Sequence, residues 1–250
     1  MSTIYLINVG ANLGHKSIAR SPIFRNGTFV YVPFPHPGRR GARSYPKEAR
    51  PFVRGIDVRD THCDPDWDNL TYGTNIGLKH VIEDDILLYW ALLWNNTGDS
   101  WEEFTGDRGW YLIGALRVRE IFEPGMSPEE SRYSRYSAHV DRARRNVHFA
   151  DGRVPPGNRV FIGGLRFSRR FGKAVYFEAG EPGGLMFRTV RTQSNAPLTI
   201  GGSSDWRSNT RIPRPAWNLD KASERRRARI VKDAILSETR FDLLKNIDEI

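Results

Sequence analysis

A chain of 250 residues, 39% hydrophobic and 12% aromatic, carries enough apolar side chain to bury a sizeable core, which excludes a disordered or collagen-like polymer. No apolar run reaches the roughly 18 residues of a membrane span, no charged segment precedes the first apolar stretch, and the lone Cys63 leaves neither an internal disulfide nor a thiolate-rich zinc cluster. The expectation is a soluble, unexported, cytoplasmic protein whose informative excess is charge: 38 Lys and Arg against 29 acids, net +9, with 31 of the 38 being Arg.

The segment TIYLINV, residues 3 to 9, is short, β-branched and aromatic, and is stopped by Gly10, so it reads as a buried strand. A polar loop follows. Residues 28 to 33, TFVYVP, alternate behind an Asn26-Gly27 turn and read as a second strand. From Pro33 to about Asp60 the chain is broken by five prolines and carries several arginines, the pattern of a long exposed connection. The near-continuous apolar run DILLYWALLW, residues 85 to 94, suits a strand buried on both faces, and residues 110 to 122 alternate as its antiparallel partner.

Ser127-Pro128-Glu129-Glu130 is a helix-start signal, predicting a helix to about Arg145. Further strands are expected at 159 to 163 and 173 to 178, and from Leu219 the pattern becomes helical. No repeat and no low-complexity linker divides the chain. The reading is α+β: a mixed or antiparallel sheet, or a partly open barrel, with flanking helices, a single domain over 1–218 and a C-terminal helical extension over 219–250.

Guanidinium forks match phosphate oxygens in pairs and stack on bases, so the excess of Arg points to nucleic acid or a nucleotide as partner. A GC-rich coding sequence also raises Arg over Lys but leaves the net excess unexplained. Four groups of residues carry candidate chemistry. In the loop GANLGHKSIARSPIF, Lys16 and Arg20 supply charge among small residues that let amides approach an anion, although the spacing of a triphosphate-binding loop is absent and a polar crossover capped by Asn and Ser fits equally.

In HCDPDWDNLTYGT, His62 and Asp64 stand two residues apart and would share one face of a strand. With a later His139 or His148 this is the ligand pattern of iron and 2-oxoglutarate dioxygenases, in which Arg159 would hold the cosubstrate. Asp64 and Asp66 accepting amides around Pro65 accounts for the same residues, and His62 equally suits hydrogen bonding to a base or acid/base work, so no metal and no cofactor is assigned. The aromatic set around Trp90 offers stacking platforms, most of its rings being core. The basic tract from Arg132 to Lys173 offers a phosphate track if Arg135, Arg142 and Arg145 share a helix face, with Arg169 and Arg170 beyond; a solvated charged face is the plain alternative.

The blocks TIYLINVGAN, SPIFRNGTFVYVPFP, THCDPDWDNLTYGT, EDDILLYWALLW, GWYLIGALRV, NVHF and RVFIGG, in that order over roughly residues 3 to 178, resemble the nucleotide modification associated domain 3 family. The acidic turn entering an apolar strand and then YLIG is also similar to PUA-like and EVE-like modules, which recognise modified bases; where those carry Gly-Asp this chain has Asp84-Asp85. The resemblance implies a prokaryotic or phage protein linked to base modification or its policing, including phage defence. Carried onto this sequence, it marks Asn12, His15, His62, Asp64, Thr71, Tyr72, Asn146 and His148. Two functions follow as expectations. A binding module would contact a modified nucleobase through Asn12, Thr71, Tyr72, Trp90 and Asn146, with Lys16, Arg20, Arg145, Arg169 and Arg170 on phosphates. A nucleobase-modifying enzyme would use His62 and Asp64, assisted by His15 and His148, in metal-dependent oxidation or acid/base chemistry.

Overall fold

The computed structural model describes residues 2–36, 43–55, 57, 59, 61–74, 78–149, 151–176 and 214–245. Its strands are β1 (Thr3–Asn8), β2 (Ser21–Ile23), β3 (Phe34–Pro35), β4 (Thr61–His62), β5 (Thr71–Thr74), β6 (Ile86–Asn96), β7 (Phe104–Phe122), β8 (Arg159–Gly163), β9 (Arg169–Tyr176) and β10 (Arg214–Asn218); its α-helices are α1 (Ser137–Arg144) and α2 (Ala222–Thr239). The fold is α+β. Eight strands form one mixed sheet in the order β10-β1-β6-β7-β8-β5, with β2 also on β6 and β9 also on β7, and the sheet does not close into a barrel. β3 and β4 form a separate two-stranded pair.

β6 is the centre. It runs parallel to β1 and β2 on one side and antiparallel to β7 on the other, with Tyr89 opposite Gly114 and Leu92 opposite Trp110. Its apolar run is explained by burial on both faces. Ile86, Leu88, Trp90 and Leu92 pack with Ile4, Trp110 and, from α2, Ala228, Val231 and Ile235. Leu87, Tyr89, Ala91 and Leu93 face the other way, with Ile7, Tyr31, Tyr72 and Phe161. α2 therefore covers one face of the sheet, and the opposite face carries the layer in which the candidate site lies. Among the described residues no helix is long and apolar enough to cross a membrane.

The turn into β6 explains the Asp84-Asp85 pair. Asp84 takes φ 69°, the left-handed conformation glycine reaches at low cost, and Asp85 accepts from Thr3 N (2.7 Å) and Ile82 N (2.9 Å), tying the turn to β1. Aspartate is among the few residues that tolerate this conformation.

Three expectations change. Residues 28 to 33 form no ladder: Val30 N bonds Pro22 O, Ala11 N bonds Val32 O, and Val32 N bonds the Ser21 hydroxyl, so the backbone is satisfied by separate partners and only Phe29 bridges to Ile23. The segment after Pro33 is not simply exposed, since Tyr45, Ala49 and Phe52 are buried in a cluster with Ala11, Ala19 and Val32; residues 37–42 lie outside the described residues. The Ser127 capping box closes only a 3-10 turn, Pro128–Glu130, and α1 begins at Ser137. The Ser131 hydroxyl (2.7 Å) and the Arg132 amide (2.9 Å) are drawn to the buried Glu120 carboxylate, which keeps this stretch from continuing as helix.

Candidate active site

His62 ends β4, and Asp64, two residues on, lies beyond the strand in a tight turn, its amide bonding His62 O at 3.0 Å. The chain then turns back. Asp66 pairs with Thr71 through both backbone groups, and its carboxylate accepts from Asn69 N and Nδ2, making a tight return into β5. That return brings the Gly73 amide onto the Asp64 carboxylate, 2.9 and 3.0 Å from its two oxygens, while the Tyr31 hydroxyl donates to Asp64 O at 2.9 Å. The Asp64-Pro65 peptide is cis.

The third side chain, His148, comes from a turn far along the chain from His62 and Asp64. After α1, Asn146 Nδ2 donates to Thr71 Oγ1 (2.8 Å) and Asn146 Oδ1 accepts from His148 N (2.9 Å), so a buried amide ties the His148 turn to β5. The His148 ring lies over Gly73, where a Cβ would fall 2.0 Å from Cδ2. His148 Nε2 is 3.3 Å from Asp64 Oδ2 and His62 Nε2 is 3.8 Å from it. The carboxylate is 4% exposed and the two imidazoles 17% and 16%, so the acid is at the bottom and the rings rim it.

Burial pushes the Asp64 carboxyl up, but His148 and His62 beside it outweigh that, and its pKa stays below the ordinary 3.8. The centre thus holds a buried carboxylate anion between two imidazoles. Cys63, between the two ligand-type residues, contacts Ser44 O instead, and burial with Asp66 nearby pushes its thiol up to about 12.

Of the two later histidines, His148 joins the cluster. His139 bonds Glu120 at 2.6 Å. Arg159 is committed to Glu123 and to the Leu78 carbonyl (2.7 Å) rather than to a cosubstrate position. His15 is one ring removed, with its Nδ1 accepting from Asn12 N (3.2 Å) and its ring stacked on Phe34, which stacks on His62 at 5.1 Å. Sequence reasoning missed His36, whose ring stacks on both Phe34 and His62; the only signal was its place in a proline-broken segment.

The residues read as base contacts separate. Asn12 caps its own loop by accepting from Gly14 N, Tyr72 packs between Tyr89 and Phe161, and Trp90 is buried against Trp110 on the α2 face. Thr71 and Asn146 are the buried pair that holds His148. Among the basic residues, Lys16 and Arg145 are exposed, and Arg20 lies 4.8 Å from the Trp94 ring and 4.7 Å from Trp101. Arg135 precedes α1, and Arg142 donates to Asn69 O (2.6 Å) and Gly163 O (2.7 Å), so the three arginines do not form one helix-face track. Arg169 and Arg170 do reach a cleft. It has a volume of about 590 Å³ and is lined in part by Arg43, Lys47, Cys63, Pro65 and Trp67, so it adjoins the segment bearing His62 and Asp64.

A family model described as nucleotide modification associated domain 3 matches residues 3–207. The chain belongs to that family. The matched span includes the strands and turns that place His62, Asp64 and His148, and it stops before β10 and α2. No curated protein and no solved structure matches the chain. The family's description associates the domain with nucleotide modification.

Proposed function

We propose that this protein modifies the base of a nucleotide or nucleic acid, with His62, Asp64 and His148 as its reactive centre. The observation that carries the reading is the convergence of two imidazoles and one buried, ionised carboxylate from segments distant in the chain. An anion buried this deeply is costly unless paired, and such arrangements concentrate at functional sites. The adjoining cleft is of a size that takes a nucleotide, and its walls carry Arg43, Lys47, Arg169 and Arg170 against Glu48, Asp66 and Asp68, with Arg43 paired to Asp66 and Arg170 to Glu48, so a small excess of positive charge faces the phosphates.

A second reading, recognition of a modified base without chemistry, is favoured by the same cleft, where Trp67, half-buried against Tyr31 and Tyr89, lines the wall with the arginines. The test is mass analysis of nucleosides recovered after incubation of oligonucleotides and free nucleotides with wild type and Asp64→Asn. A mass change on one base, lost in the variant, is expected. Binding that persists with every base unchanged would overturn the catalytic reading and leave recognition.

A further inference from the structure

We infer that His62, Asp64 and His148 bind a single divalent first-row transition-metal ion. This deepens the function proposed above: how the ion is used rests on that reading, whereas its binding rests on the geometry alone.

Two donor separations are near those of a coordination shell. Ligands about 2.1 Å from an ion and 90° to 109° apart are separated by about 3.0 to 3.4 Å. His148 Nε2 and Asp64 Oδ2 are 3.3 Å apart, His62 Nε2 and Asp64 Oδ2 3.8 Å, and all three donor atoms lie within 4.8 Å of one another. From the 4.8 Å limit, binding requires the widest pair to close by about 1.4 to 1.8 Å, which rotation of the two rim imidazoles about their side-chain bonds must supply.

A second observation points to a ligand. The buried His148 Nε2 makes no hydrogen bond among the described residues, although Asp64 Oδ2 is 3.3 Å away. The Asp64 oxygens already accept from the Gly73 amide, which orients the carboxylate. A buried ring nitrogen without a hydrogen bond is costly, and a metal ion in front of it removes the cost.

The surroundings supply the outer support that metal ligands need. Gly73 N holds the carboxylate, the Asn146–Thr71 pair fixes the turn that presents His148, and Phe34 and His36 stack on the His62 ring. Two imidazoles and one carboxylate are borderline donors, suited to Fe²⁺, Mn²⁺, Co²⁺ or Zn²⁺ rather than to Mg²⁺ or Ca²⁺, which take oxygen shells. Three protein donors leave coordination positions open. A doubly charged ion on one carboxylate keeps a net positive charge, which favours an anionic or carbonyl oxygen as the next ligand.

The test uses the full chain. Metal content is measured as purified, and the protein is then stripped with chelator and titrated with Co²⁺, with the visible ligand-field bands as readout and Mg²⁺ as control. About one equivalent of Co²⁺ is expected, with affinity lost at least about a hundredfold in His62→Ala and His148→Ala, beyond the roughly 10- to 100-fold that outer-shell partners carry. Circular dichroism establishes that each variant is folded, and His62→Gln, at the rim, serves if an alanine variant is not. Folded wild type without ligand-field bands, or variants that keep wild-type Co²⁺ affinity, would overturn the inference. Base modification by metal-free protein that takes up no Co²⁺ would leave the proposed function standing and remove the metal; Co²⁺ binding without any modified base would do the reverse.

Discussion

Gly73 and His148 occupy each other's space: the imidazole Cδ2 lies where the first carbon of any side chain at position 73 would go. The glycine is required by this close approach, since its amide must also reach the Asp64 carboxylate. Gly73→Ala is expected to displace the ring, cost about 1–3 kcal/mol through overpacking, and lower Co²⁺ affinity by about tenfold or more. Thermal melts and the Co²⁺ titration check it. An alanine variant with wild-type affinity would show that the ring position is not needed for binding.

Arg20 and Arg170 divide the roles that the sequence assigned jointly. Arg20 is sandwiched among Trp94, Trp101 and Phe104, so Arg20→Ala should lower stability by about 1–2 kcal/mol through lost cation–π packing and leave nucleic-acid affinity near wild type. Arg170 stands at the cleft, 3.7 Å from Glu48 in an exposed pair that contributes little to stability. Arg170→Ala should preserve the melting temperature, weaken oligonucleotide binding, and reduce the slope of log affinity against log salt by about 0.7 to 0.9. Fluorescence anisotropy at several salt concentrations distinguishes the two variants.

Glu120 gives a pH signature independent of the site. Burial pushes its carboxyl up, but His139, the Ser131 hydroxyl and the Arg132 amide more than offset this, leaving it below the ordinary 4.5. The folded state therefore binds this proton less readily than the unfolded chain. The stability it contributes is complete above the unfolded value and is lost as pH falls through the folded one. Glu120→Gln should cost about 1–3 kcal/mol near neutrality, and its deficit relative to wild type should shrink below pH 4.5. Urea denaturation across pH measures this, and a deficit constant with pH would refute it.

Asp84 is held at φ 69° and is paired only at the surface, its Oδ1 3.1 Å from Arg117 Nε. Asp84→Gly trades that weak pair for a residue at ease in the left-handed region. A gain of up to about 1 kcal/mol is expected from chemical denaturation, whereas a loss would mean that the Arg117 pair outweighs the backbone term.

The sheet was legible because β6 and β7 carry their burial pattern in consecutive residues. TFVYVP has the same alternation but forms no ladder, as nothing in those six residues records that Ser21, Pro22 and Ala11 take their hydrogen bonds one by one. At the site, the spacing of His62 and Asp64 could be read directly. The choice of His148 over His139 came from the family resemblance and not from spacing, because it is decided by two contacts that reach across the sequence: Glu120, 19 residues earlier, captures His139, and Thr71, 75 residues before Asn146, anchors the turn that delivers His148. Asn146 and Thr71, read from the sequence as base contacts, hydrogen-bond each other at 2.8 Å beneath the His148 turn.

β1 lies between β6 from the middle of the chain and β10 from near its end. On the ribosome, the segment TIYLIN therefore emerges with both edges open and gains its second neighbour only when Arg214–Asn218 has been made. Pairings so distant in sequence form slowly, and an apolar strand with an open edge is a template for association between molecules. A chain truncated before Arg214 should accordingly aggregate during expression even though it retains every ligand of the proposed centre.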